Sequence, residues 1–320
     1  MDKRPGGSGP PNRVRRVLED NGALTALAVL VLVLSFWTGN FFTTTNLLNV
    51  GVQAAVTAIL AFGVTFAIVS GGIDLSVGSV AAFSGVMLGW FTTTQGMPVF
   101  LGVVLAILSG TAAGLVNGIL ISYGKLPPFI ATLAMLSAAR GLAQVVSEGS
   151  PVVLPDSLTW IGRTMGEWLP VPVLVMIAMG LLAALVLNRT YSGRSMYAIG
   201  GNEEAAHLSG IRVRRQKLVI YTLVGTFAAI AGIVLASRLA SAQPTAANGY
   251  ELDAIAAVVI GGASLAGGVG KASGTLIGAL ILAVLRNGLN LLDVSAFWQQ
   301  VVIGVVIALA VLLDTLRRRA

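Results

Sequence analysis

Cysteine is missing from this chain of 320 residues, and histidine occurs once, at His207. The absence of cysteine excludes disulfides, thiol nucleophiles and cysteine metal sites, and one histidine cannot build a histidine cluster around a metal. No Ser/His/Asp set is present either. Charged residues are scarce, at 10% of the chain, where soluble domains have about 25%. We therefore expect no enzyme, and no metal or cofactor held by this chain.

Apolar residues make up 56% of the sequence, and the mean hydropathy of +0.88 indicates that lipid is the solvent. A helix needs about 20 mostly apolar residues to cross the hydrocarbon core. The sequence predicts an all-α integral membrane protein with about ten transmembrane helices. The predicted spans are residues 22–38, 47–69, 75–91, 99–121, 129–146, 171–187, 218–239, 252–266, 274–292 and 297–313.

The basic residues predict the orientation. With both termini in the cytoplasm, all but four of the 20 lysines and arginines lie in cytoplasmic segments. Arg163 and Arg238 lie in segments on the opposite side of the membrane, and Arg140 and Arg286 lie within spans. This asymmetry is the positive-inside pattern of membrane proteins. The net charge of +7 therefore reflects loops that flank spans, and we expect no nucleic-acid partner.

These patterns divide the chain into one membrane domain and two tails. Residues 1–20 are rich in proline, glycine and arginine, which predicts a disordered cytoplasmic tail. Residues 21–316 form a single transmembrane domain, whose longest cytoplasmic loop is 188–217. Residues 317–320 form a short basic tail, also cytoplasmic.

A weak internal repeat relates the two halves. Shifting the chain by 177 positions places residues 72–76 on residues 249–253, and Asn117-Gly118 pairs with Asn287-Gly288 at a shift of 170. Spans three and four then match spans eight and nine, so the two five-helix halves point in opposite directions. Inverted repeats usually place the transport pathway at their interface. Chance similarity between glycine-rich helices is the alternative. Glycine-rich breaks inside the membrane are expected near Gly71-Gly72 and in the eighth span, with a simple turn as the alternative at each place.

Glycines at four-residue spacing recur in several spans. In lipid, helices associate through close backbone approach, which small residues permit. We interpret these glycines as packing positions. They are Gly85 and Gly89; Gly110, Gly114 and Gly118; and Gly274 and Gly278.

Polar groups at membrane depth are costly and indicate function. Carboxylates at helix starts have a structural alternative, because they can cap free N–H groups. Asn117 and Asn287 could hydrogen-bond a polyol or join helices. The predicted pathway residues are Asp74, Ser76, Asn117, Arg140, Glu251, Asp253 and Asn287. The acids lie at span ends, so we expect no internal proton relay.

The cytoplasmic loop contains a predicted short helix. Asn202 is a suitable N-cap, Glu203 and Glu204 suit the first turn, and Gly210 suits the position after the end. So short a helix needs a partner surface. Its small apolar face, Ala205 and Ala206 with Leu208, favours a protein groove over the alternative of lying on lipid.

The chain contains no ATP-binding loop of its own. Residues 268–271, GVGK, are followed by Ala272 and are preceded by Leu265 where a phosphate loop requires glycine. We therefore expect that a separate protein supplies the energy for transport by acting on the short cytoplasmic helix.

Several motifs together resemble the ribose-type permeases of bacterial ABC importers. The resemblance covers about residues 40–313. It rests on residues 71–79 (GGIDLSVGS), 201–211 (GNEEAAHLSGI), 249–262 (GYELDAIAAVVIGG), 267–270 (GGVG), 129–133 (FIATL), Arg140-Gly141, Gly274-Thr275 and Asn287-Gly288.

The resemblance implies a multi-pass permease of the bacterial inner membrane that imports a monosaccharide or related polyol. It implies a second permease copy or paralogue, a cytoplasmic ATPase that binds ATP and Mg, and an extracytoplasmic sugar-binding protein. Residues 202–210 would be the coupling helix that docks on the ATPase. The contacting residues would be Asn202, Glu203, Glu204, Ala205, Ala206, Ser209 and Gly210. The alternatives are a permease of a branched-chain amino acid importer and a self-contained secondary transporter.

Overall fold

The computed structural model describes residues 22–165 and 169–319, so the tail predicted over 1–20 lies outside the described residues. The described chain is almost entirely helical. Its α-helices are α1 (Gly22–Trp37), α2 (Thr44–Val69), α3 (Val77–Gly89), α4 (Val99–Ser122), α5 (Pro128–Val146), α6 (Asp156–Thr159), α7 (Val171–Arg189), α8 (Tyr191–Gly201), α9 (Glu203–Leu208), α10 (Val213–Arg238), α11 (Tyr250–Ile260), α12 (Ala272–Leu291) and α13 (Ala296–Arg319).

Seven stretches in the described part are long and apolar enough to cross a membrane. They are α2, α3 extended by a π-helical turn (Trp90–Thr94), α4, α5, α7, α10 and α12. The other three predicted spans correspond to shorter apolar segments, namely α1, α11 and the first part of α13. The prediction of an all-α membrane protein is confirmed. Residues 317–319 continue α13.

The eighth predicted span, 252–266, is wrong in its bounds. The helix found there is α11, which has 11 residues and ends at Ile260. Gly262 adopts a positive φ of 90°, which turns the backbone out of the helix. Gly261 also packs directly on the backbone of Gly274, so α11 and α12 approach closely at this turn.

Four two-residue strands complete the described structure. The strand β1 (Val152–Val153) pairs antiparallel with β4 (Ser241–Ala242), and β2 (Thr164–Met165) pairs with β3 (Leu169–Pro170). The first pair joins the segment after α5 to the segment after α10. The β1–β4 pair therefore holds these two connecting segments together beside the end of α10.

Helix α2 is the centre of the core. Its residues 54–69 are all buried, and it contacts α7, α10, α11 and α12. A helix that is apolar and buried on all sides belongs in the interior of a bundle. Phe66 meets Phe227 of α10 edge to face, with ring centroids 5.3 Å apart.

The glycines at four-residue spacing do serve packing. A side chain on Gly114 would overlap the backbone of Tyr221 and Gly225, and one on Gly110 would overlap Ala229 and Ser84. Helices α4 and α10 therefore touch backbone to backbone along their length. Gly274 and Gly278 likewise face the backbone of α11.

Two breaks divide the bundle. Residues 72–76 are not helical, and α3 begins only at Val77; residues 243–249 are also not helical, and α11 begins at Tyr250. At 11 residues, α11 is roughly half the length of a spanning helix. The two helix starts meet, because a side chain on Gly78 would overlap the carboxylate of Glu251 and the carbonyl of Ala247.

The segment 188–217, predicted as a loop with one short helix, contains two helices. Helix α8 was missed because its three glycines mask its periodicity. Thr190 begins it, and its hydroxyl accepts a hydrogen bond from the Gly193 N–H at 3.1 Å. The predicted Asn202 cap is confirmed, since its side-chain oxygen accepts from the Ala205 N–H at 2.9 Å.

Candidate functional site

At the start of α3, three of the predicted pathway residues form one buried chain of hydrogen bonds. The Asp74 carboxylate accepts from the Ser76 backbone N–H at 2.8 Å and from its hydroxyl at 2.6 Å. The Asn117 amide of α4 donates to the same hydroxyl at 3.0 Å, and its own oxygen is buried with no partner among the described residues. This group fixes the start of α3 against α4.

At the start of α11, Glu251 and Arg140 hold the preceding segment. One oxygen of Glu251 accepts from the Gly249 N–H at 3.2 Å, which is a capping contact. The Arg140 guanidinium of α5 donates to the carbonyls of Pro244 and Ala246 at 2.8 and 2.7 Å. Side chains therefore satisfy three backbone groups of the non-helical segment before α11.

Asp253 forms an ion pair instead of capping its helix. Its carboxylate accepts from Arg286 of α12 at 2.7 Å, and the two side chains are 8% and 32% exposed. The guanidinium also lies over the ring of Tyr250, 6.0 Å from its centroid. This pair faces a cavity of about 500 Å³.

Asn287 lies apart from these groups. Its amide exchanges two hydrogen bonds with Asn46 of α2, at 2.7 and 3.0 Å, and both residues are buried. Thr65 and Thr275 form a second polar contact between the same two helices at 2.8 Å. Among its described contacts, Asn287 therefore joins helices.

The structure thus distributes the predicted pathway residues over neighbouring groups. Asp74, Ser76 and Asn117 lie together at the start of α3, and the start of α11 lies against it. The sequence reasoning missed Gln299 and Gln300, which line the cavity beside Arg286. Two adjacent amides near the start of an apolar span were the available signal.

The short helix α9 is exposed at the opposite end of α10 from the β1–β4 pair. Of the predicted coupling residues only Ala206 is buried, where it packs with Ile199 and Val213. Leu208 is 81% exposed. Glu203 is paired with Lys217 at 2.7 Å, which ties α9 to the second turn of α10.

Helix α8 connects α9 to the end of α2 and to the turn between α11 and α12. Gly200 lies so close to the Val69 carbonyl and the Gly268 N–H that a side chain there would overlap both, and Gly268 itself donates to Val69 at 2.9 Å. The Tyr197 hydroxyl donates to the Gly270 carbonyl at 2.8 Å. Burial raises the pKa of this phenol above its usual value.

A metal site in the described ranges would require a cluster of metal-ligating side chains. Across residues 22–165 and 169–319, no group of three or more His, Cys, Asp or Glu side chains could hold a metal ion.

A multi-pass helical protein with interrupted helices and a short exposed helix, α9, between two of its long helices suits a membrane permease. Residues 46–311 match the family model described as branched-chain amino acid transport system / permease component. The chain belongs to this permease family, and its resemblance to the ribose-type ABC permeases is confirmed.

Three relatives illustrate the match. The Ribose import permease protein RbsC of Escherichia coli (strain K12) is 47% identical over 304 residues, covering 93% of this chain and 94% of the relative. The protein of the same name from Bacillus subtilis (strain 168) is 46% identical, covering 93% of each chain. The L-arabinose transport system permease protein AraH of Escherichia coli (strain K12) is 40% identical, covering 98% and 97%. No solved structure matches the chain significantly.

Proposed function

We propose that this chain is the membrane permease subunit of an ABC importer that carries a monosaccharide or related polyol into the cytoplasm. The observation that carries the proposal is the 47% identity to a ribose import permease over 93% of the chain. The relatives named for ribose and L-arabinose share nearly their whole length with it. A neutral polyol also suits the amides and paired charges near the starts of α3 and α11.

The energy for transport comes from a partner ATPase, since the chain has no phosphate loop of its own. That ATPase, which binds ATP and Mg, docks on α9 and its flanking residues 202–210. The exposed acids and small residues there suit a groove lined with basic groups. An extracytoplasmic sugar-binding protein and a second permease copy or paralogue complete the importer.

Movement at α9 reaches the transport pathway through α8. Helix α8 is fixed to the end of α2 and to the turn between α11 and α12 by the contacts of Gly200 and Tyr197. These two sites are the cytoplasmic ends of the segments that lead to the two breaks. A displacement of α9 by the ATPase therefore tilts α11 relative to α3 and alternates the access of the pathway.

The architecture proposed for this cycle has ten spans in two inverted five-helix repeats, with both termini in the cytoplasm. Helices α3 and α11 are its repeat-related helices, and each begins after a non-helical segment. Their starts meet at Gly78 and Glu251. Half-helix starts that converge on a pathway are a recurrent design in transporters with inverted repeats.

The test begins with purification of the chain in mild detergent from its native membrane and mass identification of the proteins that accompany it. The purified assembly is then reconstituted into proteoliposomes. Uptake of labelled D-ribose, L-arabinose and L-valine is measured with and without internal ATP and the binding protein.

We expect an ATPase to accompany the chain and ATP-dependent uptake of at least one of the sugars, at a rate about tenfold or more above that of L-valine. Uptake of L-valine alone would assign the chain to an amino acid importer, as the family description allows. Sugar uptake by the chain without any ATPase would make it a secondary transporter.

A further inference from the structure

The cavity beside Arg286 lies apart from the contacts that link α9 to α2 and to the turn between α11 and α12. It lies between the start of α11, the outer part of α12 and the first turns of α13, and has a volume of about 500 Å³. Small-molecule sites typically measure about 300–1,000 Å³. The cavity is therefore large enough for one small ligand with accompanying water.

Its walls contain a charge pair with unused hydrogen-bonding capacity. A guanidinium has five N–H donors, and only one of those of Arg286 is engaged with a described residue, the carboxylate of Asp253. The other oxygen of that carboxylate has no hydrogen bond from the described residues. A charged side chain at membrane depth normally finds all its partners or serves a polar ligand.

Amide and aromatic groups complete the lining. The Gln299 amide is held by donating to the Asn290 oxygen at 2.6 Å and to the Val294 carbonyl at 2.8 Å, which leaves its oxygen as an acceptor. Gln300 is exposed in the cavity wall, and the Tyr250 ring forms another side. Fixed donors and acceptors on several sides match a ligand whose hydroxyl groups both donate and accept.

The charges of the cavity discriminate between ligand classes. Asp253 and Arg286 neutralise each other, so the described lining has no net charge. An anionic sugar phosphate would lie against the Asp253 carboxylate, which disfavours it. A neutral polyol meets both charged groups without separating them.

We propose that this cavity is an intramembrane binding site for one neutral monosaccharide-sized polyol, with Arg286 donating to its hydroxyl groups and Asp253 and Gln299 accepting from them. This proposal rests on the proposed function. It adds that the sugar occupies a defined binding site within each permease subunit.

The absence of cysteine permits a direct test, because a single introduced thiol is the chain's only one. Gln300→Cys places that thiol in the cavity wall. Gln95→Cys places it in the exposed segment between the π-helical turn and α4 and serves as the matched control. Each variant is assembled with its ATPase in lipid nanodiscs, and its reaction with a charged, membrane-impermeant thiol reagent is timed against a concentration series of D-ribose, L-arabinose or L-valine.

We expect the thiol of Gln300→Cys to react and the transported sugar to slow that reaction at least about threefold, whereas the thiol of Gln95→Cys reacts equally fast with or without sugar. L-valine should give no protection. A thiol at position 300 that does not react, as when lipid or a second permease copy fills the cavity, would overturn the proposal. So would a thiol that reacts without protection.

A second variant tests the role of the charge pair. Asp253→Asn with Arg286→Gln removes both charges together, so no buried charge remains unpaired. Combined with Gln300→Cys, it should raise the sugar concentration for half-maximal protection by about tenfold, as expected for losing a charged hydrogen bond. Unchanged protection would exclude these two residues from the site.

These outcomes are distinguishable from failure of the proposed function. ATP-dependent sugar uptake in proteoliposomes tests the importer without reference to the cavity. An assembly that transports a sugar but shows no protection at position 300 retains the proposed function and contradicts the binding site. An assembly that transports L-valine, with protection by L-valine, contradicts both.

Discussion

Glu204 is the residue of α9 best placed to meet a partner protein. It is exposed, and it forms no ion pair with the described residues, whereas its neighbour Glu203 is bound to Lys217. Glu204→Arg reverses its charge without removing a contact of the permease fold. We expect sugar uptake to fall about tenfold or more, since like charges facing each other across an interface cost several kcal/mol. ATP-driven uptake in proteoliposomes is the measurement.

The matched control is Glu148→Arg, the same substitution at an exposed glutamate that lies between α5 and β1, remote from α9. This variant should retain uptake. Both variants should elute as folded protein at the position of the unmodified chain. Normal uptake by Glu204→Arg would remove α9 as the ATPase contact, whatever the remaining partners are.

Single residues could be predicted from the sequence where their partners are close along the chain. Asn202 caps α9 as expected, because a cap binds an N–H three residues ahead. Asp253 does not follow the capping alternative, because its partner Arg286 lies on another helix. The pairing of Asn46 with Asn287 could not be predicted from the sequence either, since 241 positions separate the two residues.

At the scale of elements, α8 is the connection on which coupling depends. Gly200→Ala should disturb it, because a methyl group there overlaps the Val69 carbonyl and the Gly268 N–H. We expect uptake per molecule of hydrolysed ATP to fall about threefold or more as α8 shifts from its contacts. The ratio of sugar uptake to ATP hydrolysis in proteoliposomes measures this.

The adjacent substitution Gly201→Ala is the control, since a methyl group at Gly201 meets no atom within 4 Å. Both positions lose a glycine at the end of the same helix, so their backbone effects are matched. Equal ratios in the two variants would mean that the contact of α8 with α2 carries no coupling. A purified Gly200→Ala protein that binds its ATPase but transports poorly would support the connection.

Helices could be predicted where a continuous apolar run in the sequence marks them. Long apolar runs identified α2, α4, α5, α7, α10 and α12 within a few residues. Helix α11 was predicted too long because apolar residues continue past Gly261, while its end is set by backbone contact with Gly274. Helix α8 was not predicted because three glycines interrupt its spacing of apolar residues. Its stability comes from tertiary contacts with α2 and Gly270.

At the scale of the whole molecule, composition predicted the class of fold, but not how its parts meet. The convergence of α3 and α11 depends on Gly78 leaving room for Glu251 and Ala247, a contact between residues far apart in the chain. The cavity beside Arg286 needs three separate helices. Such arrangements follow from packing in three dimensions, for which one sequence carries no local pattern.

The orientation of the molecule in the membrane can be tested by thiol labelling, because the chain has no cysteine. With both termini in the cytoplasm, the segment containing Gln95 faces outward and α9 faces inward. Gln95→Cys should therefore react with an impermeant thiol reagent in intact cells without outer membrane, and His207→Cys only after the membrane is opened. Both residues are exposed, so burial does not decide the difference. Labelling of position 207 in sealed cells would invert the topology and leave α9 beyond reach of any cytoplasmic ATPase.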